Sequence, residues 1–235
     1  MIEYLFDTPE SLTMALSTAL KNALSDQLNA AGMSSIAVSG GQTPKALFDQ
    51  LSSVELDWGR ITVTLTDERW VADDHPDSNE RMVKQHLLKN RATPATFIPL
   101  KTAYKTAEGG QFALDVTLQE KLPVIDFVVL GMGGDGHFAS LFPNTEALQN
   151  GLNTSGSLLC LATQSPVAPK ERMSLTLSMI LKAKKIYLLI TGDDKLRVVR
   201  RACFINSADH LSLPISAVLN QTMVPVEMYW SPSSS

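Results

Sequence analysis

Cysteine is nearly missing from this chain: only Cys160 and Cys203 occur among 235 residues, and neither stands in a C-x-x-C pair. That excludes a disulfide framework and leaves two free thiols, as suits a reducing compartment. There are only four histidines, and no Cys/His cluster has metal-ligand spacing, so neither a metal centre nor a cofactor is expected. A charge excess of one sign is also lacking. The formal net charge is −4, which argues against the broad cationic surface that nucleic acid requires. No apolar run approaches the ~20 residues of a membrane span. The opening "MIEYLFDTPE" carries acids where a secretory leader would carry Lys or Arg, so a cytoplasmic protein is expected. Linkers, low-complexity tracts and internal repeats are absent ahead of the short "SPSSS" tail, which predicts one domain over residues 1–235.

What is present is an alternation. Residues 34–39, 60–66, 125–131, 157–162 and 185–191 are short apolar runs rich in Val, Ile and Leu, the pattern of strands buried on both faces of a parallel sheet. Helical patterns separate them. Residues 10–31 are rich in Ala and Leu and stop at Gly32; Thr43-Pro44 reads as an N-cap opening "KALFDQL"; Ser78 caps "NERMVKQHLL"; 107–121 and 193–203 are amphipathic. The expected fold class is α/β, a mostly parallel, doubly wound sheet with helices on both faces. Ligands of such sheets bind beyond the carboxyl ends of the strands, here 39–45, 66–70, 131–143 and 191–195.

Those ends carry chemistry. "SGGQTP" puts Gly40, Gly41 and a Thr43 hydroxyl where a helix begins, either a phosphate cradle or an ordinary glycine turn. Asp67-Glu68-Arg69 is either a solvated turn or a means of pointing Arg69 at an oxyanion. "GMGGDGHFASLFP" satisfies G-x-G-x-x-G, but Pro143 interrupts soon after, and the next strand ends "CLATQ" with no acid for a ribose. A nicotinamide site is therefore not expected. His137, leaving that glycine loop, is a candidate general base, against the alternative of a packed histidine. His75, His86 and His210 have no comparable context. Two further cations are Arg172, just ahead of an apolar element, and Lys195, four residues past the end of a strand.

In order along the chain, "SGGQTP", "TDERWVADDHPDSN", "GMGGDGHFASLFP", "RMSLTLSMI" and "TGDDK" resemble the 6-phosphogluconolactonase family, a branch of the glucosamine/galactosamine-6-phosphate isomerase superfamily. The resemblance spans about residues 39 to 195. It implies a Rossmann-like sheet and hydrolysis of a phosphosugar lactone, with no metal, nucleic acid or membrane partner and a monomer or weak homodimer. On it, Gly40, Gly41, Thr43, Arg172 and Lys195 hold the substrate phosphate, His137 is catalytic and Arg69 orients the lactone. Asp135 braces the loop or orients His137, and Asp67 matches the position that abstracts a proton in the isomerases. One departure is Phe138, where many members have Thr. The isomerases continue Asp-Gly-His to an Asn-Glu-Pro ending; this chain has Phe142 where that glutamate stands, and Arg69 where they have a tyrosine. The remaining readings are an aminosugar-phosphate isomerase and a non-catalytic sugar-phosphate sensor.

Overall fold

A computed structural model describes residues 1–204 and 212–233; His210 lies outside the described residues. Seven strands form one sheet in which every neighbouring pair is parallel. They are β1 (Ile2–Leu5), β2 (Ser34–Val38), β3 (Ile61–Leu65), β5 (Thr96–Phe97), β6 (Phe127–Leu130), β9 (Lys185–Thr191) and β10 (Val226–Ser231). Their order is β1-β10-β9-β6-β2-β3-β5. A separate antiparallel sheet, β4-β8-β7, is built from Asp67–Arg69, Glu171–Leu175 and Cys160–Gln164.

The helix α1 (Pro9–Ala31) starts where the Thr8 side chain accepts from Ser11 N at 3.2 Å. It ends at Gly32, whose φ of 81° permits a left-handed cap. Leu12, Leu16, Leu20, Leu24 and Leu28 recur every fourth residue and are all buried in the core. That stripe fixes which face of α1 turns inward. After α2 (Lys45–Leu51) and α3 (Asn79–His86) come α4 (Ala107–Lys121), α5 (Leu148–Gly151), α6 (Leu177–Ile180), α7 (Asp193–Ala202) and α8 (Ser216–Leu219).

The chain leaves β2 for β3 and β5 on one side, then returns to place β6 on the other side of β2. This reversal opens a crevice at the carboxyl ends of β2 and β6, where a sheet of this class takes its ligand.

Three local expectations are corrected. Thr43 does not cap α2: the cap position is Pro44, and no side chain bonds there. The run at 157–162 does not join the parallel sheet. Its strand is shifted to Cys160–Gln164 in the antiparallel sheet, because the buried Asp115 carboxylate of α4 takes the N–H groups of Leu159 (2.7 Å) and Cys160 (3.3 Å) ahead of the ladder. Finally, Asp67–Arg69 is a strand with Asp67 and Glu68 buried, not a solvated turn.

Candidate active site

A cavity of about 260 Å³ lies in the crevice, lined by the 39–44 loop, Asp67, Arg69, Asn79, the start of the 131–139 loop and Lys195. In "SGGQTP" the chain leaves β2 with Ser39 N still bonded to Val129 O at 3.0 Å, then turns. Gly40 has no room for a side chain, since a Cβ there would stand 1.9 Å from Asn79 Oδ1. Gly41 adopts φ 98° and faces open space. The backbone is thus free to approach a ligand. Thr43 lines the same wall.

Strand β4 supplies the opposite side, and its middle residue explains how three charges are tolerated there. Glu68 is almost wholly buried, and its carboxylate accepts from Arg69 N (2.6 Å), Asn79 N (2.8 Å), Glu80 N (2.7 Å) and Ser78 Oγ (3.2 Å). Burial pushes this carboxyl above the ordinary glutamate value, while those backbone donors pull it back. Glu68 therefore fastens the first turn of α3 to β4. Asn79, held this way, donates from Nδ2 to Asp67 O at 2.8 Å and abuts Gly40. Neither Glu68 nor Asn79 carries a local sequence signal for a site-building role.

Asp67 is engaged as well: its Oδ2 accepts from Ser140 Oγ at 2.7 Å and Oδ1 from Thr66 Oγ1 at 3.3 Å. Arg69 reaches past it, donating from Nη1 to Asp77 O at 2.6 Å, and its buried Nε has no partner among the described residues. Across the β4–β8 ladder Arg69 stands opposite Arg172. The Arg172 guanidinium donates to Pro169 O (2.9 Å) and Ser165 Oγ (3.5 Å) and does not line the cavity. Burial, and then the charge of Arg69, push Arg172 below its ordinary value. Neither arginine pairs with a carboxylate among the described residues. Two such guanidinium groups side by side repel each other unless an anion joins them.

Lys195 lines the cavity from the start of α7, with no hydrogen bond or ion pair among the described residues; burial lowers its pKa. His137 completes the site. Its Nδ1 meets Asp135 Oδ1 at 2.6 Å, its backbone N–H donates to the same oxygen at 3.2 Å, and its ring packs on Phe142 with centroids 4.3 Å apart. A carboxylate only accepts, so Nδ1 carries the proton and Nε2 keeps its lone pair in the neutral ring. Burial alone would raise the Asp135 carboxyl, but the imidazole's hydrogen bond and charge outweigh it and hold the group below the ordinary aspartate value. The glycine loop closes on itself through Gly133 N→His137 O (2.9 Å) and Gly136 N→Gly133 O (3.0 Å). It leads into a Phe138–Leu141 bridge and no dinucleotide-type helix.

The structure thus brings Gly40, Gly41, Thr43, Asp67, Arg69, His137 and Lys195 to one cavity, with Asp135 bonded to His137 and Arg172 opposite Arg69 on the neighbouring strand. Chemically this is a base with one oriented nitrogen in a cavity whose cations form no ion pair among the described residues.

Known proteins share this arrangement's chain. Residues 7–230 match the model of a family described as glucosamine-6-phosphate isomerases/6-phosphogluconolactonase. The chain is 38% identical over 229 residues to a 6-phosphogluconolactonase of Rhizobium meliloti, covering 97% of this chain and 98% of that one. Among solved structures, a 6-phosphogluconolactonase from Shewanella baltica superposes with a TM-score of 0.93 at 43% identity, over 98% of this chain and 97% of that one. A monomeric glucosamine-6-phosphate deaminase shares the fold at a TM-score of 0.78 and 19% identity, over 97% of each chain.

Proposed function

The chain belongs to the glucosamine-6-phosphate isomerase/6-phosphogluconolactonase family, and from that premise we propose that it hydrolyses 6-phospho-D-glucono-1,5-lactone to 6-phosphogluconate. The observation that carries this reading is His137, held at Nδ1 by Asp135 in a cavity whose cations Arg69 and Lys195 lack carboxylate partners among the described residues. Nε2 of His137 takes a proton from water as the water oxygen bonds to C1. The C1 carbonyl becomes an oxyanion beside Arg69. When the oxyanion collapses, the bond from C1 to the ring oxygen breaks, and the imidazolium returns its proton to that oxygen. The new carboxylic acid then ionises. Base catalysis of this kind contributes roughly 10²–10⁴-fold, and oxyanion stabilisation on the order of 10²–10³. We read residues 1–235 as one lactonase domain, a cytoplasmic monomer or weak homodimer. The assay that tests the activity follows acid release from freshly generated lactone; release no faster than the buffer blank overturns it.

The phosphate falls to Gly40, Gly41, Thr43 and Lys195. Arg172 acts on it by charge alone, since its own hydrogen bonds go to Pro169 and Ser165. Lys195→Ala is expected to weaken 6-phosphogluconate binding by about 1.5–3 kcal/mol, as for loss of a hydrogen bond to a charged group. Arg172→Ala weakens it by less. Neither change should alter hydrolysis of unphosphorylated gluconolactone much, and equal losses on both lactones would remove these residues from the phosphate site.

The isomerase reading keeps one part, Asp67, but lacks another. Phe142 occupies the place of the isomerase glutamate, and a phenyl ring neither accepts a proton nor orients an imidazole by hydrogen bonding. Incubation with glucosamine-6-phosphate should release no ammonia. Ammonia at an enzymatic rate would reverse the assignment.

A further inference from the structure

Beside the catalytic cavity lies a second one, of about 480 Å³, which shares Gly41, Gln42, Arg69 and Asn79 with it. Its remaining charged lining is Lys45 at the start of α2, Arg81 in α3, and one carboxylate, Asp77. Asp77 turns toward His75 Nδ1, 3.7 Å away. Lys45 and Arg81 have no ion-pair partner among the described residues. Nearby cations do pair: Lys84 of α3 meets Glu80 at 2.6 Å, and Lys89, beyond the end of α3, meets Asp49 of α2 at 2.6 Å. Two cations without an ion-pair partner among the described residues thus line a chamber that adjoins Arg69, whose buried Nε has no partner among them either.

We propose that this annex is an anion subsite that receives the carboxylate formed when the lactone ring opens. The inference rests on the hydrolytic reading above. The substrate carries a single anionic group, its phosphate. Cleavage of the bond between C1 and the ring oxygen adds a second and frees C1 to rotate, because the ring no longer holds it beside His137. Arg69 lines both chambers, so the carboxylate can remain against one guanidinium while it moves toward Lys45 and Arg81. A guanidinium fork suits a carboxylate in this role. Clearing the new charge from the neighbourhood of His137 also leaves space for the next water.

Calorimetry with two ligands tests this: 6-phosphogluconate, and glucitol 6-phosphate, which has the same phosphate and a hydroxymethyl group in place of the carboxylate. The wild-type protein binds the first more tightly. In the Lys45→Ala/Arg81→Ala double variant, 6-phosphogluconate binding weakens at least ~10-fold, by the usual scale for charge-assisted hydrogen bonds. Glucitol 6-phosphate binding stays within about twofold. Both residues are partly exposed and unpaired, so the variant retains the wild-type melting temperature. Lys84→Ala, which removes a paired cation of α3, leaves both affinities unchanged. Equal weakening of both ligands, or of neither, overturns the subsite. If the ligand pattern appears but the wild-type protein does not hydrolyse the lactone, the subsite stands and the hydrolytic reading falls.

Discussion

His137→Ala lowers kcat for lactone hydrolysis by about 10²–10⁴-fold, the range for loss of a positioned general base. Binding of 6-phosphogluconate stays close to wild type. The division follows from the geometry. The imidazole contacts Asp135 and Phe142, while the 39–44 loop and Lys195 stand on other strand ends. Single-turnover kinetics and calorimetry on the folded variant check the two halves separately. Near-normal turnover would sink the mechanism, and a collapse of binding would mean that the histidine holds substrate and does not act on water.

Gly133→Ala should do nearly as much damage without removing any reactive group. A Cβ at Gly133 would sit 2.2 Å from both Nδ1 and Cε1 of His137 and 2.6 Å from Asp135 Oδ1. The backbone of Gly133 is not in the left-handed region, so the difficulty is steric and falls on two side chains. The imidazole can swing outward, since it is partly exposed, and the fold then loses little. The Asp135–His137 bond cannot survive that swing. Misplacement of a catalytic group by about 1 Å can cost on the order of 10²-fold, so kcat falls at least that far while the melting temperature shifts little. Gly136 makes a useful contrast. Its φ is 79°, and a Cβ there would meet Leu213 Cδ1 at 2.3 Å, so Ala at 136 burdens the fold itself. If Gly133→Ala were fully active, the imidazole position in the proposed mechanism would be wrong.

The parts of this site that the sequence announces are those set by local rules. His137 and Lys195 follow apolar strands directly, and the glycines mark where backbone must turn or come close. The α1 stripe and its Gly32 stop are equally local. Glu68 is different. In sequence it is the middle of three charges, the usual mark of a solvated turn. It is buried because its donors arrive from Ser78, Asn79 and Glu80, ten to twelve residues on. No periodicity encodes that return. Ser140, which holds Asp67 from 73 residues away, is hidden for the same reason. The strand β10 is equally hard to see in the sequence. It contains Glu227, a poor strand residue, whose charge is met by Lys185 Nζ at 2.7 Å on the neighbouring strand. In each case a long-range partner neutralises a residue that reads locally as surface.

The cavity walls come from residues 39–44, 67–69, 79, 131–139 and 195, so no contiguous half of the chain contains the site. It exists only when the whole sheet does, and the unfolded chain offers its ligands nothing comparable. Any molecule that occupies it therefore acts as a folding agent: at 100 times its Kd, a ligand adds about 2.7 kcal/mol to the native state. That is a sizeable share of the roughly 5–15 kcal/mol that separates typical native proteins from their unfolded chains. In a cell where metabolite is plentiful, fewer copies are open to proteases at any moment, and the protein's lifetime lengthens.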